Sequence, residues 1–118
     1  MNTDPNQNVF VIEVQKDGVL RRFGGHARTR DVDCLQQVWT VLAPQAQIDP
    51  RQVQRLYSEW ELSKDDIAFA QRTFPFAEFS FSFARPADGD WDRAMTEASK
   101  TMESTMKRTS RQWWQFWR

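Results

Sequence analysis

The chain has 118 residues, 40% of them apolar and 27% charged, which is the composition of one globular domain with a modest core. Sixteen basic and sixteen acidic residues cancel. That balance excludes the strongly basic footprint of a dedicated nucleic-acid binder, and no apolar run approaches the roughly 18 residues of a membrane span. The only cysteine is Cys34 and the only histidine is His26, which excludes a disulfide framework, a multi-cysteine zinc site and a two-histidine metal motif.

Residues 1–8 are polar, contain Pro5 and lack the charged-then-apolar shape of a secretory leader. They are expected to form a flexible tail ahead of one domain spanning 9–118, and the expected compartment is the cytoplasm. Two β-rich runs then flank Asp17-Gly18, a dipeptide that favours a type I′ turn because both central residues need positive φ. A two-residue loop there sets Val14 opposite Arg21, Ile12 opposite Phe23 and Glu13 opposite Arg22. The hairpin is expected to end at Gly24-Gly25, leaving His26 in a loop.

From Thr29 to about Ala43, Val32, Leu35, Val38, Trp39 and Leu42 recur at helical spacing. Asp31 and Asp33 suit the positive end of that helix, Pro44 is expected to stop it, and Cys34 is expected to be a small buried side chain within it. The run from Val53 to Trp60 fits a helix opened by Asp49-Pro50 or, equally, a short buried strand. Ser63 and Asp66 make a capping-box-like start for a helix carrying Ile67, Phe69 and Ala70, which ends before Pro75. Residues 77–85 alternate, with Ala77, Phe79, Phe81 and Phe83 on one face, a period-two strand whose aromatic stripe is expected to be core. A last helix starts near Asp90 and carries Trp91, Met95, Ala98, Met102 and Met106 on one stripe. Trp39, Trp60 and Trp91 are expected in the core.

With residues 53–60 as a strand, the order is hairpin, helix, strand, helix, strand, helix. The run RLYSEWELSKDDIAFAQRTFPFAEFSFSF resembles the central region of bacterial toxin-type nucleic-acid deaminases, and Gly25-His26-Ala27 resembles the place of their His-Ala-Glu motif. The resemblance covers roughly residues 9–100. It implies an α/β, cytidine-deaminase-like three-layer fold, a mixed sheet with helices on both faces. It also implies a pocket built from His26, Arg28, Tyr57, Ser58, Glu59, Glu61, Ser63 and Asp66. In that family a histidine and two cysteines hold zinc and a glutamate moves the proton. Here Arg28 stands at the glutamate position, Ser63 and Asp66 at the cysteine positions, and Leu62 where a proline precedes them. Serine is a poor zinc ligand and arginine cannot accept a proton from water.

The resemblance therefore implies a deaminase-like domain without catalytic residues, zinc or other cofactor, serving as a binding module in a toxin or effector setting. An active deaminase with an atypical site is the alternative. Glu59 and Glu61 are either substrate-facing or occupied in capping and ion pairs; as an acid/base pair they lack a nucleophile nearby. From about residue 107 the chain is basic and aromatic, with Arg111, Trp113, Trp114, Phe116 and Trp117 as candidate partner contacts. Tryptophan and arginine suit a protein hot spot, while the same composition serves single-stranded nucleic acid, a membrane surface, self-association or a segment folded back on the sheet.

Overall fold

A computed structural model describes residues 2–109, with side chains described for 2–104. Four strands form one mixed sheet: β1 (Gln7–Lys16), β2 (Val19–Arg28), β3 (Val53–Trp60) and β4 (Glu78–Phe83). Three helices accompany them, α1 (Cys34–Ala46), α2 (Lys64–Thr73) and α3 (Trp91–Thr109). The strand order is β2-β1-β3-β4, antiparallel except for the parallel pair β3 and β4. Helix α2 makes the crossover that this parallel pair requires.

The hairpin forms in the expected register. Asp17 and Gly18 both have positive φ (54° and 76°), and Val14, Ile12 and Glu13 face Arg21, Phe23 and Arg22. Glu13 is buried and pairs with Arg22 at 3.0 Å, with Arg55 of β3 3.9 Å away on its other side. The hairpin does not end at Gly24-Gly25, however. Pairing continues through Val9–His26 to Gln7–Arg28, so His26 belongs to a strand and not to a loop. Gly25 is there for packing: a Cβ on it would stand 2.7 Å from Val38 Cγ1 of α1. The glycine lets the helix lie directly on the strand.

Helix α1 is displaced from its expected limits at both ends. It begins at Cys34, not near Thr29, so Val32 precedes the helix and is 56% exposed. It also runs through Pro44 to Ala46 before Gln47 turns left-handed (φ 54°). A proline so near the end forfeits only the hydrogen bond to the Thr40 carbonyl. The last carbonyls, of Ala46 and Gln47, are bound by Lys16 Nζ at 3.3 and 3.0 Å, a cation at the negative end of the helix.

The ambiguous segment is a strand. Asp49 does cap a turn, accepting the Arg51 amide at 2.9 Å, but that turn is a 3-10 helix of three residues (Pro50–Gln52) that leads directly into β3. The alternating burial of Val53–Trp60 follows. Phe10, Ile12 and Val14 of β1, Val53 and Leu56 of β3, and Leu35 and Val38 of α1 make the main core, with Ala70 and Phe74 from the α2 side. A second cluster joins Trp60 to Met95 and Ala98 of α3, flanked by Phe83 and Trp91.

The aromatic stripe of β4 departs from expectation. Phe79 and Phe81 are 44% and 49% exposed, and only Phe83 packs into a core cluster. β4 is an edge strand shorter than the 77–85 segment that alternates in sequence, and α2 leaves part of its face uncovered. Trp60 is buried as expected, whereas Trp39 and Trp91 pack at the margins of the two clusters. Among the described residues no helix is long and apolar enough to cross a membrane.

Candidate functional site

The sheet divides the expected pocket residues into two groups. Phe10 faces the core, and its partner Gly25 faces α1, so alternation turns His26 and Arg28 toward the opposite side of the sheet. Tyr57 pairs with Val11 and shares that opposite face, as does Glu59 two residues on. Ser58 lies on the helix side with Phe10 and Leu56. Ser63 and Asp66 are also there, at the start of α2.

On the outer face Arg28, Tyr57 and Glu59 have local partners. His26 is exposed, and Arg28, its side chain 88% exposed, makes an ion pair with Asp31 at 3.6 Å. Tyr57 and Ser82 hydroxyls lie 2.5 Å apart. Glu59 is half-buried and receives the Asn2 side-chain amide at 2.5 Å; burial raises its carboxyl pKa, while the bonds from Asn2 and from the Val9 amide act in the other direction. Asn2 thus ties the chain start to β3, and β1 begins at Gln7, inside the segment expected to be a flexible tail.

On the helix side, Ser63 and Asp66 are buried and fully used. Ser63 Oγ accepts the Asp66 amide at 3.1 Å as the cap of α2 and donates to the Val32 carbonyl just ahead of α1. Asp66 Oδ2 accepts the Leu35 amide at 2.9 Å, and its Oδ1 accepts from Gln36 Nε2 at 3.3 Å. The start of α2 therefore caps the start of α1, a helix whose own N-cap residue, Asp33, makes no side-chain capping bond. Burial raises the Asp66 carboxyl pKa, against the lowering effect of the Leu35 and Gln36 donors.

Cys34 completes this junction. Its Sγ lies 3.0 Å from the Arg28 carbonyl and 3.2 Å from that of Asp31, distances at which the thiol hydrogen is shared with backbone oxygen. Burial is the main cause that pushes its pKa from 9.0 to about 11, with the Asp66 charge adding to it. The thiol is held protonated in the neutral range. Sequence reasoning placed Cys34 correctly as buried but missed that it lies near enough to feel the Asp66 charge, because that proximity depends on α1 starting at residue 34 and not near 29.

Glu61 closes the far end of β3, where its amide donates to Phe83 O at 2.7 Å and its Oε1 accepts the Arg85 amide at 3.1 Å. Glu61 and Ser58 also line a groove of about 210 Å³ between α2 and the β3–β4 edge. Arg111, Trp113, Trp114, Phe116 and Trp117 lie outside the described residues.

Zinc does not fit this arrangement. His26 is on the wrong face of the sheet, the Ser63 hydroxyl and Asp66 Oδ2 are engaged in capping while Asp66 Oδ1 accepts from the Gln36 side chain, and the one thiol is protonated against backbone carbonyls. Among the described residues no three histidine, cysteine or acidic side chains are grouped so as to hold a metal ion. Comparison with family models, with curated proteins and with solved structures found no match in any of the three.

Proposed function

We propose that this chain is a catalytically inactive, deaminase-like domain that works as a binding module, in the bacterial toxin or effector setting that the sequence resemblance implies. The proposed architecture is the cytidine-deaminase-like fold, here with α1, α2 and α3 all packed on the sheet face that Phe10, Leu56 and Trp60 share. The mixed sheet supports it, with a β-hairpin leading to α1 and a parallel β3–α2–β4 unit. The observation that carries the functional reading is the junction of α1 and α2. The two positions where the family's cysteines would stand, Ser63 and Asp66, cap helices there instead of facing a ligand.

Contact with a protein is the favoured role, because the described surface exposes large apolar side chains together at one edge: Phe76 at 66%, Phe79, Phe81 and Ile67. Aromatic side chains in such a patch are typical anchors of protein interfaces.

The test is to express the full chain and its His26→Ala variant in bacteria and sequence total DNA and RNA deeply. The expected result is the same base composition at every position as in cells carrying an empty vector. Cytosine or adenine conversions that depend on the chain and vanish in the variant would replace this reading with that of an active deaminase.

A further inference from the structure

Among the described residues β2 and β4 are the two edges of the sheet, and they differ in kind. β2 carries three arginines, Arg21, Arg22 and Arg28, which oppose pairing with a further strand. β4 carries three phenylalanines, one charge (Glu78) and no proline, so it lacks the charge and proline that usually blunt an edge. Its backbone is also set to pair. The Phe83 carbonyl accepts the Glu61 amide, so the polar backbone groups of Phe79, Phe81 and Phe83 point to β3 and those of Glu78, Ser80 and Ser82 point away from it.

We propose that this edge is closed by a second copy of the chain, β4 lying antiparallel to β4 about a two-fold axis at Ser80, so that two four-stranded sheets become one. Register favours it. With that centre Ser80 faces Ser80, and Glu78 faces Ser82 of the second copy, so all three outward-pointing residues are paired. Phe79 stands opposite Phe81 of the second copy in the closely spaced, non-hydrogen-bonded position, where aromatic pairs contribute most. The two Glu78 carboxylates fall at opposite ends of the pair, and no like charges are opposed.

Area and edge charge favour it as well. Phe76, Phe79 and Phe81 together expose roughly 300 Å², taking about 200 Å² for a whole ring residue, towards the ~800 Å² per copy of a stable interface. Ile67 and the groove of about 210 Å³ between α2 and β4 lie beside those rings and add to the surface. The arginine-bearing β2 edges remain outermost, so assembly stops at a closed dimer and does not run on into a fibre. The inference rests on the binding reading above and names the partner of this edge.

Sedimentation of the full chain across the micromolar range tests it, and the expected mass is twice the 14.0 kDa of one chain. Phe81→Lys sets charge against the opposing ring, and Ser80→Pro removes an outward amide that β3 does not use; each is expected to weaken the dimer about a hundredfold or more. Circular dichroism of both variants is expected to match that of the native chain. Cross-linking gives a second readout. Ser80→Cys places two thiols face to face on the axis and is expected to yield a covalent dimer on mild oxidation, whereas Ser82→Cys faces Glu78 and is not. A native chain that stays monomeric overturns the inference, as does a dimer that persists unchanged in both variants or that cross-links at 82 in preference to 80. Each of those results leaves the binding reading standing, since only chain-dependent base conversion removes it.

Discussion

Asp66 on α2 accepts the backbone amide of Leu35 on α1 at 2.9 Å, with both residues buried. One side chain thereby satisfies an orphan donor at the start of a different helix, while Ser63, three residues earlier, satisfies Asp66's own amide. The pair locks two helix starts together at the end of the sheet where a deaminase-like domain is expected to keep its chemistry.

Removing that carboxylate exposes its value. Asp66→Ala leaves the Leu35 amide and Gln36 without their acceptor and is expected to cost about 1–3 kcal/mol in urea unfolding. Asp66→Asn keeps an acceptor and is expected to cost less. It should also change the pH response. Burial raises the Asp66 pKa, so the native state holds this proton to higher pH than the unfolded chain does. Its contribution is fully present below the ordinary carboxylate pKa and lost as pH rises through the raised value. Unfolding free energies measured across the acid range should show that fall in the native chain and lack it in Asp66→Asn.

Cys34 gives the same sign at the alkaline end. Its thiol titrates near 9.0 when unfolded and about 11 when folded, so stability is expected to decline between those values by about 3 kcal/mol. Cys34→Ala, which cannot ionise, should flatten that part of the profile. Equal alkaline slopes in both chains would show that the thiol is not held as the geometry describes.

Gly25 is predicted to be intolerant for steric reasons. A methyl group there meets Val38 Cγ1 at 2.7 Å, so Gly25→Ala is expected to cost about 1–3 kcal/mol by overpacking. Val38→Ala in the same chain should recover part of it, giving a double-mutant loss smaller than the sum of the single losses. Additive losses would place the helix farther from the strand.

His26, by contrast, is exposed on the face away from α1, and His26→Ala is expected to change stability by no more than about 0.5 kcal/mol. A larger loss in thermal or urea unfolding would mean that His26 has a structural partner.

Much of the fold was legible because its signals are local. Asp17-Gly18 dictates the turn and hence the Glu13–Arg22 pair, Ser63 with Asp66 marks the start of α2, and the Trp91, Met95, Ala98, Met102 stripe marks α3. Errors arose where a local rule met a tertiary contact. Gly24-Gly25 reads as a chain breaker, yet Gly25 is glycine so that α1 can approach, and Pro44 reads as a stop although Lys16, far off in sequence, binds the carbonyls beyond it. The alternation of β4 revealed a strand without revealing that it lies at an edge, so its rings were assigned to the core. The site suffered most, because a three-residue extension of β2 past Gly25 decides on which side of the sheet His26 falls.

The central claim is that Ser63 and Asp66 hold helices and not a metal. Native mass measurement of the full chain after equilibration with zinc, alongside Asp66→Ala, tests it most directly. The account predicts the metal-free mass for both chains. One zinc per chain, retained through buffer exchange and lost in Asp66→Ala, would contradict it.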